Sequence, residues 1–312
     1  MDQILKLINV TKIFSGHGIV SSKHNIFKAV NNVSFNIEKD TIFGLVGESG
    51  CGKTTLARSI LLLDPPTYGE IVFLEKDLTK LSGKQLLPFR MKMQIVFQDP
   101  HSALNPKLTI YKSMKEGLSN RNYPKDKIKS RIEELLDVVG ITPSHMYRFP
   151  HEFSGGQKQR IVIARALSME PELLILDEPV SSLDVSIQAQ IINLLLDLKE
   201  KFRLTYLFIS HDLNLVAYLS DRIGVMYKGR IVEIGDTDNI IDNPGHPYTL
   251  KLFSSAPGKM EIGIHNNEEK DDPLPIPPDG FVFSNDNGEA NTFKLIQVED
   301  GHLVGCYKKI GN

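Results

Sequence analysis

The stretch GESGCGKTT, residues 47–55, has the side chains and the glycine spacing that a polyphosphate requires. Gly47, Gly50 and Gly52 let the backbone curl its N–H groups around phosphate oxygens, and Ser49, Cys51 and Thr55 complete the loop. Lys53 brings a point charge that can reach β- and γ-phosphates, and the Thr54 hydroxyl is a ligand for Mg2+. An ordinary strand–turn–helix can match these letters by chance. Here the apolar run TIFGLV precedes the glycines and the helix-forming TLARSILLL follows them. That is the context the loop needs, because a helix start adds a favourable dipole for an anion.

LLILDEP, residues 173–179, is an apolar strand ending in two acids. Acids at strand ends are common on surfaces. In a phosphate-loop protein, however, the C-terminal edge of such a strand lies beside the phosphates. Asp177 would then hold Mg2+ through its water shell, and Glu178 would polarise a water for attack on the γ-phosphate. A third stretch, HEFSGGQKQR at 151–160, opens a helix whose apolar positions are Ile161, Ala164 and Leu167. Ser154 as a cap, followed by Gly155, Gly156 and Gln157, looks like a second anion cradle. One chain thus carries two helix starts of the phosphate-binding kind, and the second needs a reason.

The elements around these residues alternate. Early β-type runs (ILKLINV, KAVNNVSFNI) suggest an antiparallel side sheet. TIFGLVG, GEIVFL, MQIVFQDP, PELLILDEP and LTYLFIS read as further strands, and the alternation of strands with helices implies a mainly parallel sheet covered on both faces. The helix VSIQAQIINLLLDLKEKF is apolar at Ile187, Ile191, Leu194 and Leu198, and RIGVMYKGRIVEIG reads as a hairpin turning at Lys228-Gly229. Residues 101–170 are charged and helix-forming, with Pro106, Pro124 and Pro143 as boundaries, and read as a helical insertion. After about residue 256 the composition shifts to Pro, Asp, Glu, Asn and Gly, and NNEEKDDPLPIPPDG reads as a linker or poorly ordered arm.

Whole-chain properties narrow the function. The chain has 312 residues, enough for one large domain with an appendage or for two, and 41% hydrophobic content gives a substantial core. A net charge of −2 is not that of a nucleic-acid binder. The start MDQILKLINV lacks the pattern of a secretory signal, and the richest apolar run, IINLLLDLKEKF, is broken by Asn193 and Asp197. Two cysteines, Cys51 and Cys306, cannot build a disulfide framework, so a reduced, cytosolic setting is expected. Work at a membrane would require a partner.

The phosphate loop, FQDP (97–100), FSGGQ (153–157), LLILDEP, SSLD (181–184) and ISHD (209–212) occur in the order found in ATP-binding-cassette (ABC) ATPases, which this chain resembles over roughly residues 4–255. The resemblance implies an α/β P-loop NTPase (RecA-like) core with an antiparallel β side sheet, a helical insertion subdomain at about 100–170 and a C-terminal extension. It also implies roles. Gln98 would sense the γ-phosphate and Mg2+, and link them to the insertion. His211 would contact the γ-phosphate, and Asp184 would lie in a loop that communicates across a dimer. An aromatic near the N-terminus would stack on adenine. Phe14 is the candidate, Phe27 competes, and SGHGIVSSKHN between them leaves the choice open, with core packing the plain alternative for either. Two such ATPases are expected to dimerise head to tail, so that Ser154, Gly155, Gly156 and Gln157 serve the partner's ATP.

FQDPHSALNPKLTI, HEFSGGQKQRIVIARAL and NPGHPYTLKLFSSAP resemble the ATPase subunits of oligopeptide/dipeptide-type importers more closely still. NPGHPYT discriminates best, its plain alternative being a proline-rich exit turn. The resemblance implies an ATP-hydrolysing subunit with Mg2+, at the cytoplasmic face of the cell membrane. It would be bound to a second ABC ATPase (itself or a related chain) and two transmembrane permease subunits, and served indirectly by an extracytoplasmic solute-binding protein. Related importers carry peptides, nickel or oligosaccharides, and the substrate is chosen outside this chain. The expected organisation is an ATPase domain over 1–256 and an extension over 257–312. Many relatives hold an iron–sulfur centre there with four cysteines, but here Phe281 stands in PPDGFVF where a first cysteine would be, and GHLVGCYK keeps only Cys306. No iron–sulfur cluster is expected. Among rival classes, DNA-repair and chromosome-maintenance ABC ATPases carry long coiled coils or zinc modules, translation factors carry two cassettes, and regulatory subunits with little turnover often lose the carboxylate that Glu178 supplies.

Overall fold

The computed structural model of the chain describes residues 2–15, 26–254, 276–283 and 293–308. GHGIVSSKHN (16–25) and most of the acidic, proline-rich arm lie outside the described residues. The chain forms two compact units: Met1–Leu5, Ile37–Thr41 and Val72–Leu207 make one, and Lys6–Asn36, Ile42–Ile71 and Phe208–Asn312 make the other.

In the first unit, the parallel strands Met93–Val96 and Leu173–Asp177 pair in register, Met93 opposite Leu173 and Val96 opposite Leu176. All five residues of Leu173–Asp177 are buried, which explains why the strand reads as a continuous apolar run rather than an alternation. The insertion is helical. Ile110–Asn120 starts at Thr109, whose hydroxyl accepts from Lys112 N, and buries Ile110, Met114 and Leu118. Ile128–Val138 buries Ile128, Ile132, Leu135 and Leu136. This spacing of three and four is one helix face turned inward. The prolines fall at boundaries: Pro124 caps a 3-10 turn and Pro143 opens another. Gly155–Leu167 and Val185–Phe202 complete the unit, the latter with the bounds its sequence pattern predicts.

In the second unit, Gln3–Ser15 lies between Ile26–Glu38 and Tyr68–Phe73 in the side sheet. Of the larger sheet, this unit contains Ile42–Val46, parallel to Arg222–Tyr227, which pairs antiparallel with Arg230–Asp236. That hairpin turns at Lys228 (φ 45°) and Gly229 (φ 80°), both left-handed, as a two-residue hairpin turn demands. Its far strand pairs with His302–Lys308, Glu233 opposite Val304, and His302–Lys308 pairs in turn with Phe293–Glu299. Within this unit the C-terminal strands therefore extend the sheet that contains the strand before the phosphate loop. NPGHPYT is not an exit turn: it opens the helix Pro247–Ser254.

Candidate functional site

The residues singled out from the sequence fall into two groups, one in each unit. In the second unit, the wholly buried strand Ile42–Val46 delivers the loop 47–52, and the helix Lys53–Ile60 follows. Gly47, Gly50 and Gly52 have φ of 157°, 81° and 114°. A Cβ on Gly47 would lie 2.2 Å from Met226 O, and one on Gly52 2.2 Å from Ala29 O, both main-chain atoms that cannot swing away. A Cβ on Gly50 would meet nothing within 4 Å, so its space is open. Gly52 caps the helix with no side-chain hydrogen bond, and no acid stands in the first turn. The N-terminal dipole is thus left uncompensated by the chain itself.

Lys53 is only 5% exposed, an unusual place for an ammonium group. It is folded back into its own loop, where Nζ donates to Gly47 O at 2.6 Å and Glu48 O at 3.0 Å. Cys51 Sγ lies 3.8 Å from the same nitrogen, and burial pushes the Cys51 thiol up despite it. Glu48, Ser49, Gly50 and Thr54 are exposed, Thr55 half-buried. A buried cation within a glycine-rich loop at a helix start fits a polyphosphate. His211 stands exposed after the strand Thr205–Ser210. Phe14 is 43% exposed with Lys12 Nζ 5.2 Å from its ring centroid, and Phe27 is 61% exposed. Core packing, the plain alternative for either ring, does not hold: both face solvent.

In the first unit, Asp177 is buried at the end of its strand, and Glu178 follows with φ 49°. A left-handed backbone at a non-glycine costs about 1–3 kcal/mol and is kept where surrounding structure holds it. Here Ser181 supplies a hold, since its N and Oγ both donate to Glu178 O, at 3.4 and 3.2 Å. Gln98 Nε2 donates to the same Ser181 Oγ at 3.1 Å. Ser181 thus brings Gln98 to the loop of the two acids, with the amide nitrogen engaged and the amide oxygen turned elsewhere. Asp184 is the exposed N-cap of Val185–Phe202 and makes no capping bond.

The SGGQ helix start closes on itself. Ser154 Oγ accepts from Gln157 N at 3.3 Å, while Gln157 Oε1 accepts from Ser154 N at 3.0 Å, a reciprocal capping box. Both side chains are exposed. A Cβ on Gly156 would come within 2.6 Å of Ile187 Cγ2, so this glycine lets two helices approach closely; at Gly155 the nearest atom, Leu183 Cδ2, would be an ordinary 3.5 Å away.

Residues 30–181 match the family described as "ABC transporter", and residues 232–272 match "Oligopeptide/dipeptide transporter, C-terminal region". The chain is 48% identical to the oligopeptide transport ATP-binding protein AppF of Bacillus subtilis, covering 98% of this chain and 97% of that protein. It is 49% identical to OppF of Streptococcus mutans over 82% of each. The chain belongs to the ATP-binding proteins of oligopeptide/dipeptide ABC transporters. Among solved structures, the ABC cassette MJ0796, a dimer in a post-hydrolysis state bound to ADP and Pi, superposes with a TM-score of 0.66 at 28% identity, over 75% of this chain and 99% of that one. Cassette cbiO1 of Clostridium perfringens, part of the complex cbiONQ, gives 0.66 at 30%, over 78% and 92%. The fold is the P-loop NTPase fold, and the protein is an ATPase.

Two groups implied by this family can be tested on the residues present. The expected Mg2+ ligands are a hydroxyl (Thr54), an amide oxygen (Gln98) and a carboxylate (Asp177), an all-oxygen set that suits this hard cation. A four-cysteine iron–sulfur cluster does not fit: Cys306 is the tail's one cysteine, buried on its strand with burial pushing its thiol up to about 11, and Phe281 and Val282 pair with Lys308 and Tyr307. Sequence reasoning passed over Ser181, Tyr248, Glu233 and His302. Ser181 stands in SSLD, where the resemblance points to Asp184 alone.

Proposed function

We propose that the chain is the ATP-hydrolysing subunit of a peptide importer, working at the cytoplasmic face of the cell membrane as one half of a head-to-tail ATPase dimer. The loop 47–52 supports this most, with three left-handed glycines around a buried lysine. Lys53 would exchange its carbonyl partners for β- and γ-phosphate oxygens. Thr54, Gln98 and Asp177 would hold Mg2+, which when bound neutralises charge on the phosphates. Glu178 would take a proton from water as the water oxygen bonds to the γ-phosphorus and the bond to the bridging oxygen breaks, releasing ADP and phosphate. His211 would contact the γ-phosphate, and Phe14 would stack on adenine.

Ser154, Gly155, Gly156 and Gln157 would act on the ATP of the opposite subunit, with Asp184 in the communicating loop. The exposure of Ser154 and Gln157 supports a role outside their own unit. Closure driven by γ-phosphate contacts is a population shift that hydrolysis reverses. The ATPase domain would be 1–256 and the extension 257–312, with the helical insertion driving two permease subunits. Among the described residues no helix is long and apolar enough to cross a membrane, so attachment would be through those subunits. The test is reconstitution with the permease and binding protein in vesicles. ATP-dependent peptide uptake is expected; ATP-dependent uptake of nickel or oligosaccharide without peptide uptake would overturn the peptide assignment.

A further inference from the structure

Glu233 is the one buried acid in the strand Arg230–Asp236, with no exposed surface at all. A carboxylate there is sustained only by donors, and it has four. Its Oε1 accepts from Gly245 N at 2.6 Å and from His302 Nε2 at 2.7 Å, and its Oε2 accepts from His246 N at 3.0 Å and from Thr249 Oγ1 at 2.5 Å. Three of these donors lie in NPGHPYT, at the start of the eight-residue helix Pro247–Ser254; the fourth comes from the C-terminal strand His302–Lys308. Approach of the two is close: a Cβ on Gly245 would lie 2.6 Å from Val304 Cγ2.

The same turn reaches the phosphate loop. Tyr248 is buried, its ring centroid 4.2 Å from that of Tyr227, and its hydroxyl oxygen accepts from Glu48 N at 3.0 Å. Its backbone N donates to His246 Nδ1 at 3.0 Å, and burial holds His246 down at about 4, so the imidazole stays neutral and keeps that acceptor. From Glu48 N the hydrogen-bonded path runs through Tyr248, His246 and Glu233 to His302.

We propose that Tyr248 is a positioning residue for the phosphate loop and that Glu233–His302 ties it to the C-terminal strands, so that seating of the C-terminal extension sets nucleotide affinity. The inference rests on reading residues 47–55 as the ATP-binding loop. Fixing Glu48 N orients the first peptide of that loop before ATP arrives. Affinity lost when the bond is removed is then the cost of ordering the loop at the moment of binding.

The experiment measures the Mg·ATP dissociation constant and steady-state ATPase kinetics of the full-length chain. Tyr248→Phe removes one oxygen, and affinity should fall about three- to tenfold, the net value of one hydrogen bond, with the loss carried more by KM than by kcat. His302→Leu should weaken binding in the same way, and His302→Gln, which keeps a donor near the Nε2 position, should restore it. The Tyr248→Phe/His302→Leu double variant should be no worse than the weaker single, because both break one path. Wild-type affinity in Tyr248→Phe overturns the proposal; additive losses, or no recovery with His302→Gln, overturn the link to the extension. If His302→Leu does not fold, Tyr248→Phe and its combination with His302→Gln decide. Lys53→Ala is the control: if it binds Mg·ATP as wild type does, the loop reading itself falls. If it does not while Tyr248→Phe binds normally, only the positioning role falls.

Discussion

The two helix starts of the phosphate-binding kind are built in opposite ways. At Lys53–Ile60 the cap is a glycine at φ 114° with no side-chain bond, and the nearby charge is a lysine turned into the loop. At Gly155–Leu167 the cap is a serine whose hydroxyl and N–H are both satisfied by Gln157, and the side chains face outward. The first carries no side-chain cap and no acid in its first turn, which suits an external anion. The second is closed and stable without one. Similar letters, glycines beside a hydroxyl residue at a helix start, thus specify an uncapped start in one place and a self-capped one in the other.

Breaking the uncapped start should have the largest effect. Lys53→Ala removes the one buried cation of the loop, and Mg·ATP binding measured by calorimetry should become undetectable while circular dichroism stays native. Binding at wild-type strength would remove the loop from the account. Glu178→Gln comes next. ATP should still bind, but turnover should fall by about 10²–10⁴, the usual cost of losing a positioned base. A rate within a factor of two of wild type would move the base to another residue.

Paired glycine variants sharpen the contrast in stability. Gly52→Ala must place its Cβ against Ala29 O in a left-handed backbone, and chemical denaturation should show a loss of about 1–3 kcal/mol or more. Gly155→Ala meets only an ordinary contact in a helix, and stability should hold or rise by up to about 1 kcal/mol. Equal losses at the two positions would contradict the different architectures. The smallest effect is expected from Ser154→Ala, which opens the capping box and should cost about 1 kcal/mol of stability on the same measurement.

Much of this was legible in the sequence because local physics writes it there. The loop's glycines, the buried strand before Asp177 and the hairpin at Lys228-Gly229 each need particular residue types at fixed spacing, and Val185–Phe202 has an apolar face that repeats. The capping box at Ser154 was half legible: Ser-x-x-Gln is its signature, but the same letters had suggested an anion cradle. What could not be read was long-range. Nothing near Glu233 in the sequence marks it as buried, because its partner His302, at 2.7 Å, lies 69 positions on. Nothing local in NPGHPYT says that its tyrosine ends on Glu48 N, 200 positions away. The exposure of Phe27 escaped for a related reason, since an aromatic in an apolar strand gives no sign of which face it takes.

The self-capped start at Ser154 is proposed to serve the other subunit's ATP. Ser154→Arg should leave this chain's own nucleotide binding near wild type, because its phosphate loop is untouched, but should stop closure and hydrolysis. Dimers that mix a Lys53→Ala chain with a Ser154→Arg chain contain one composite site with both lesions and one with neither. The decisive measurement is the ATP retained per mixed dimer, with pairing verified by light scattering and turnover followed in the same samples. The account predicts one ATP held in a closed site and recovered turnover, where each variant alone shows neither. Mixed dimers that form but retain no ATP would mean that SGGQ acts on its own chain's nucleotide, and would contradict the account.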